Sequence, residues 1–109
     1  MKLVQLATAR SGDKGNHANI VVVARWASAF AWLQDHLTCQ RVAEFFGGLQ
    51  PTRVERFVLP NVQAFNFVLY DVLDGGGSLS LRSDTQGKLL GTAILDLPCD
   101  GAPLETLSS

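Results

Sequence analysis

Arg10, Ser11, Gly12, Asp13, Lys14, Gly15, Asn16, His17 and Asn19 crowd two charge signs, a hydroxyl, two carboxamides, an imidazole and two glycines between two apolar runs. Gly12 and Gly15 can take positive φ at no steric cost. Successive backbone N–H groups in such a loop can converge on an anion. Lys14 would add a mobile cation and Arg10 a planar fork. Ser11, Asn16 and Asn19 add neutral donors, so the set suits a phosphate, a carboxylate or a thioester oxygen. Asp13 and Lys14 are the candidate catalytic pair, with Asp13 either a base or a group that orients the ammonium. The same residue types are also ordinary turn formers. Neither a phosphate-binding GxxxxGK[ST] run nor a dinucleotide fingerprint is present. His17 reads as a surface or satisfied histidine. His36 lies far from it on an expected helix, so no metal site is expected.

A tight hairpin needs only about two to five connecting residues. The stretch from Arg10 to Asn19 therefore reads as a long functional loop between two antiparallel strands, Lys2 to Thr8 and Ile20 to Ala24. Helical spacing of Trp26, Phe30, Leu33 and Leu37 predicts a helix, with Ser28 placed to cap its first turn. Thr38 caps a second helix that presents Val42, Phe45, Phe46 and Leu49, and Gly47-Gly48 and Pro51 end it. Arg53 to Leu59 reads as a strand. Asn61 is placed to start a third helix running to Leu73. Ser78 to Arg82 reads as a strand, Ser83 to Lys88 as a turn, and Leu89 to Leu97 as the last strand, with Gly91 marking a bulge or a close backbone approach.

These elements predict an α+β two-layer sandwich, ferredoxin-like, with about five strands and three helices mainly on one sheet face. Residues 1–97 form one domain and 98–109 a tail. Asn66 falls among apolar residues of the expected third helix, and a buried amide needs a partner. The expectation is that Asn66 or Asn61 comes within hydrogen-bond reach of the loop. With Gly75 and Gly76 they would build one polar pocket, with Lys14 and Arg10 at its rim.

The chain has 109 residues, 47% of them hydrophobic and 17% charged, with net charge -1. Scattered basic residues give no face for nucleic acid. No apolar run approaches the roughly twenty residues that span a bilayer. Cys39 and Cys99 form no CxxC pair and read as reduced thiols, and a cytoplasmic location is the default. The low charged fraction and an uncovered sheet face predict a homo-oligomer, most simply a dimer.

Three stretches resemble the C-terminal domain of the acyclic terpene utilisation (AtuA) family. They are Ala9 to Asn16 with Ala18-Asn19-Ile20 and Val23-Ala24-Arg25; Leu59-Pro60-Asn61 with Ala64 to Leu69; and Gly75-Gly76-Gly77 with Ser80-Leu81-Arg82, Asp84 and Gln86-Gly87-Lys88. The resemblance covers the chain to about Leu97 and is similar to a stand-alone form of that domain. It implies a ferredoxin-like domain acting in the breakdown of acyclic terpenes or branched acids as acyl-CoA thioesters. It implies no cofactor beyond a CoA thioester as ligand, and a separately encoded large AtuA-like subunit as a partner. Two roles remain open: an accessory or assembly module with an anion-binding or acyl-CoA-binding loop, and a small enzyme acting directly on an acyl-CoA or carboxylate.

Overall fold

The computed structural model describes residues 1–72 and 84–102 of the chain. Strands β1 (Ala7–Lys14) and β2 (His17–Ala24) are followed by helices α1 (Ala27–His36) and α2 (Cys39–Phe45). Strands β3 (Arg53–Leu59) and β4 (Ala64–Tyr70) are followed by helix α3 (Asp84–Ile94). The strands form one antiparallel sheet of order β1-β2-β4-β3. Each hairpin closes locally, and β2 joins β4 at the centre. Helices lie on one face only among the described residues, giving a two-layer α+β sandwich of ferredoxin-like type.

The core follows from alternation. Ala18, Ile20, Val22 and Ala24 of β2 are buried, and the register sets Ile20 against Phe67 and Val22 against Phe65 of β4. Leu33 of α1, Val42 of α2, and Leu90 and Ile94 of α3 join the same cluster. Phe30 stacks on Phe65 with ring centroids 5.0 Å apart. Arg56, on the helix side of edge strand β3, donates from Nη1 to the carbonyls of Gln34 (3.0 Å) and Leu37 (2.8 Å). These are orphan acceptors at the end of α1, and a cation suits the negative end of the helix dipole. As expected, Thr38 caps α2: its Oγ1 accepts from the Arg41 amide at 3.1 Å. The start of α1 differs, because its N-cap is Trp26, without a side-chain bond.

Four readings of the sequence are corrected. The first strand does not begin at Lys2: Leu3–Gln5 is a 3₁₀ turn, and β1 runs from Ala7 to Lys14. Leu3 and Leu6 are both fully buried, a spacing of three that a strand cannot supply. Second, the long loop is absent, because β1 and β2 pair up to Lys14 opposite His17. Only Gly15 and Asn16 connect them. Gly15 has φ 62°, as a two-residue turn with glycine first demands, whereas Gly12 is an ordinary strand residue without positive φ.

Third, Asn61 starts no helix. Pro60–Val62 is a single 3₁₀ turn, Gln63 turns left-handed at φ 55°, and Ala64 onward is strand. Phe65, Phe67 and Leu69 are buried and obey period two, which outweighed the helical spacing of Val62, Phe65, Val68, Leu69 and Val72. Fourth, the turn and last strand from Asp84 onward are replaced by α3. Leu90, Ile94 and Leu97 are buried while Leu89 is 51% exposed, a helical pattern. Sheet strands thus number four among the described residues rather than about five. The expected strand at 78–82 lies outside the described residues. Of the expected tail, Pro98 bridges to Lys2, and Cys99 and Ala102 are buried.

Gly91 makes the close backbone approach, but from a helix. A Cβ there would stand 2.9 Å from both Arg10 C and Ser11 N, and its amide donates to Ser11 Oγ at 2.6 Å. Gly91→Ala should therefore cost about 1–3 kcal/mol, the range for overpacking, read as a lower urea midpoint at unchanged m. Gly15→Val should also destabilise, by about 1–3 kcal/mol. Gly12→Ala should be near neutral, because its Cβ would meet only Asn19 Oδ1, at 3.6 Å.

Burial pushes the Cys99 thiol up, away from its reactive thiolate. Cys39 is half-exposed at the start of α2. Iodoacetamide at pH 8 should label Cys39 alone in the native protein and both cysteines after denaturation, as read by intact mass. Equal native labelling rates would refute the buried placement of Cys99.

Candidate functional site

The two-residue turn decides where the polar residues of the first motif go. Successive strand side chains alternate between faces. Arg10 and Gly12 share the open sheet face with Asn19, while Ser11 and Asp13 share the helix side. Ser11 is held against α3 by the Gly91 amide. Asp13, Gly15 and Asn16 are exposed at the hairpin tip. Asp13 and Lys14 occupy successive, and so alternating, strand positions. The backbone from Arg10 to Lys14 runs along the ladder with β2 instead of curling into an anion nest. The strand residues of the stretch are therefore distributed over two faces, with Gly15 and Asn16 in the turn. Gly75 and Gly76 lie outside the described residues.

Two of the expected residues do meet. Asn19 Nδ2 donates to Asn66 Oδ1 at 3.5 Å, the long limit of such a bond. They meet across the β2–β4 seam, where Asn66 opposes Val21 and Asn19 opposes Val68. Asn66 is on the open face because β4 is a strand: its neighbours Phe65 and Phe67 take the core side. Around the pair is a concavity of about 160 Å³, lined by His17, Ala18, Asn19, Asn66, Val68 and Tyr70. Asn19 Oδ1 and Asn66 Nδ2 have no protein hydrogen-bond partner among the described residues. An acceptor and a donor are thus left at the cavity floor.

Sequence reasoning set aside His17 and missed Tyr70, Glu55 and Asp71. Reading β4 as a strand would have revealed Tyr70 and Glu55, because the register then puts His17 beside Tyr70 and Glu55 on the same face, whereas nothing in the sequence points to Asp71. Their ring centroids are 4.7 Å apart. The Asp71 amide donates to His17 Nδ1 at 3.0 Å. An accepting Nδ1 places the neutral ring's proton on Nε2, so the imidazole offers a donor rather than a base. Asp71 is itself at φ 63°, and its carboxylate accepts from the Thr52 hydroxyl at 2.5 Å. The Tyr70 hydroxyl donates to Glu55 Oε1 at 2.6 Å. The Arg53 guanidinium lies 4.3 Å from the Tyr70 ring centroid and 3.7 Å from Glu55. Contact with the Tyr70 side chain first, and the Glu55 carboxylate second, pushes Arg53 above its ordinary range. These contacts fix the aromatic wall of the cavity and leave the amides at its floor available.

Among the described residues no group of three His, Cys, Asp or Glu is arranged to hold a metal ion. No helix among them is long and apolar enough to cross a membrane.

The model of the AtuA ferredoxin-like domain family matches residues 1–100. No curated protein and no solved structure matches the chain. The family match takes in both hairpins, all three helices and every residue of the cavity, and the chain belongs to the AtuA ferredoxin-like domain family.

Proposed function

We propose that this domain is an accessory binding module in the catabolism of acyclic terpenes or branched acyl-CoA thioesters. In this reading the cavity on the open sheet face takes the carbonyl or carboxylate end of an acyl ligand. The observation that carries it is the set of uncommitted groups around one concavity: Asn66 Nδ2, the Nε2–H of His17 and Asn19 Oδ1. Two donors suit a carbonyl oxygen, and donors already fixed in place lose little on binding. Val68 supplies an apolar floor beside them. Arg10, exposed on the same face with no protein partner among the described residues, supplies the charge that draws an anion in. The side chain of Lys14 lies outside the described residues, and we assign it the same role on its sequence position alone.

Binding is favoured over catalysis by the state of His17. Its Nδ1 is satisfied by a backbone amide, so the imidazole offers the cavity an Nε2–H donor, and among the described residues no imidazole base faces it. The setting in terpene or branched-acid breakdown rests on membership of the family.

A thermal-shift series against acyl-CoA thioesters, free CoA and small carboxylates tests this. A ligand at a hundred times its dissociation constant adds about 2.7 kcal/mol. For a domain of this size that is a rise of roughly 10–20 °C. Asn66→Leu should abolish the shift while changing the unliganded stability by only about 0.5 kcal/mol. Lys14→Ala should weaken anionic ligands alone. No shift with any carbonyl ligand, or an equal shift in Asn66→Leu, would refute the site.

A further inference from the structure

The open sheet face changes character along its strands. At the hairpin end are His17, Tyr70 and Arg53. At the other end Phe57 and Leu59 are 48% and 41% exposed, Val62 just beyond β3 is 60% exposed, and Val21 and Val23 are half-buried beside them. The two edges also differ. β1 presents Arg10, while β3 presents Phe57 with Glu55 next along the same face.

We propose that this face takes a second copy of the chain, related by a two-fold axis parallel to the strands. Where two sheets stack with their strands nearly aligned, the two-fold axis between them runs across the strands or along them. Across, it would lay the His17–Tyr70–Arg53 end on the apolar end and bury charge against hydrocarbon. Along, it keeps each row opposite its own counterpart, so that Leu59 meets Thr8, Val23 meets Ala64 and Val21 meets Asn66, away from the charged end. The same operation exchanges the edges: β1 of one copy covers β3 of the other. Arg10 of each copy then lies over Phe57 and beside Glu55 of the other, a cation on an aromatic face next to a carboxylate. The like-charged positions this axis superposes, Lys14 and Arg53, fall at the rim of the face, where Arg53 is exposed and already paired with Glu55. The axis passes over the β2–β4 seam, so each copy's central strands roof the cavity of the other and place a second Asn19–Asn66 pair opposite the first. The pair closes the cavity and engages Arg10, so it competes with the proposed acyl ligand, which enters the single chain.

Light scattering on the unliganded wild-type chain should give twice the 11.8 kDa chain mass, falling toward one on dilution. Arg10→Glu and Phe57→Arg should each lower the mass to that of a single chain at concentrations where the wild type is dimeric, with unchanged circular dichroism, since both positions are exposed. The double variant should recover the dimer, because the swapped charges meet again only if β1 lies over β3. A single-chain mass for the wild type at all concentrations overturns the proposal and leaves the face to a different protein. A wild-type dimer that both single variants leave intact, or a double variant that stays a single chain, also overturns it. The wild-type measurement requires no variant to fold.

Discussion

The pairing of β2 with β4 is the constraint on which the rest depends. Each hairpin is closed by a short turn and needs no distant partner. The seam between them joins residues about fifty apart in sequence, and its register decides which side chains see the helices. With Ile20 opposite Phe67 and Val22 opposite Phe65, the apolar residues of both central strands fall on one side. A slip of one residue would turn either strand's buried set outward and carry Asn19 and Asn66 into the core. The cavity and the core are therefore specified by the same hydrogen-bond ladder, and a change that moves one moves the other.

That coupling explains why the polar groups of the cavity are held so firmly. His17, Tyr70 and Arg53 stand side by side in one row across the sheet, each in contact with the next. Thr52 and Asp71, just beyond the strand ends, tie the backbone at the same corner. Arg56 ties β3 to the end of α1 on the opposite face. The edge strand is thus pinned from both sides, which limits the freedom of the wall that Tyr70 and Glu55 build.

The sequence carried the architecture better than it carried the elements. β2 and β3 were legible as short apolar runs with β-branched residues, α1 as a helical stripe and α2 by its cap, Thr38. The segment after Pro60 was not, because Val62, Phe65, Val68, Leu69 and Val72 fit a helical stripe while Phe65, Phe67 and Leu69 fit a strand. The central position in the sheet settles that ambiguity, and no local signal could. The segment from Asp84 was misread the other way, since Leu89 and Leu90 together suit either period. The two exchanges compensate in helix number, so the fold class survived them. The site suffered more. Reading Arg10 to Asn19 as a loop placed all its polar groups in one nest, whereas a paired hairpin sorts them by parity to two faces. Asn19 and Asn66 were reachable from sequence because an amide in apolar company needs a partner. The partner of His17 is a backbone amide at Asp71, and sequence offers no sign of that.

The two ends of the described chain meet. The Cys99 amide donates to the Met1 carbonyl at 2.9 Å, and Pro98 bridges to Lys2. The fold is also made of two similar halves, a hairpin followed by helix, joined through Gly47 to Pro51. The described ends adjoin and each hairpin closes by its own short turn, while α3 packs on β1 and α2 on β3, so a circularly permuted chain, β3–β4–α3 first and β1–β2–α1–α2 second, is expected to keep the same sheet order.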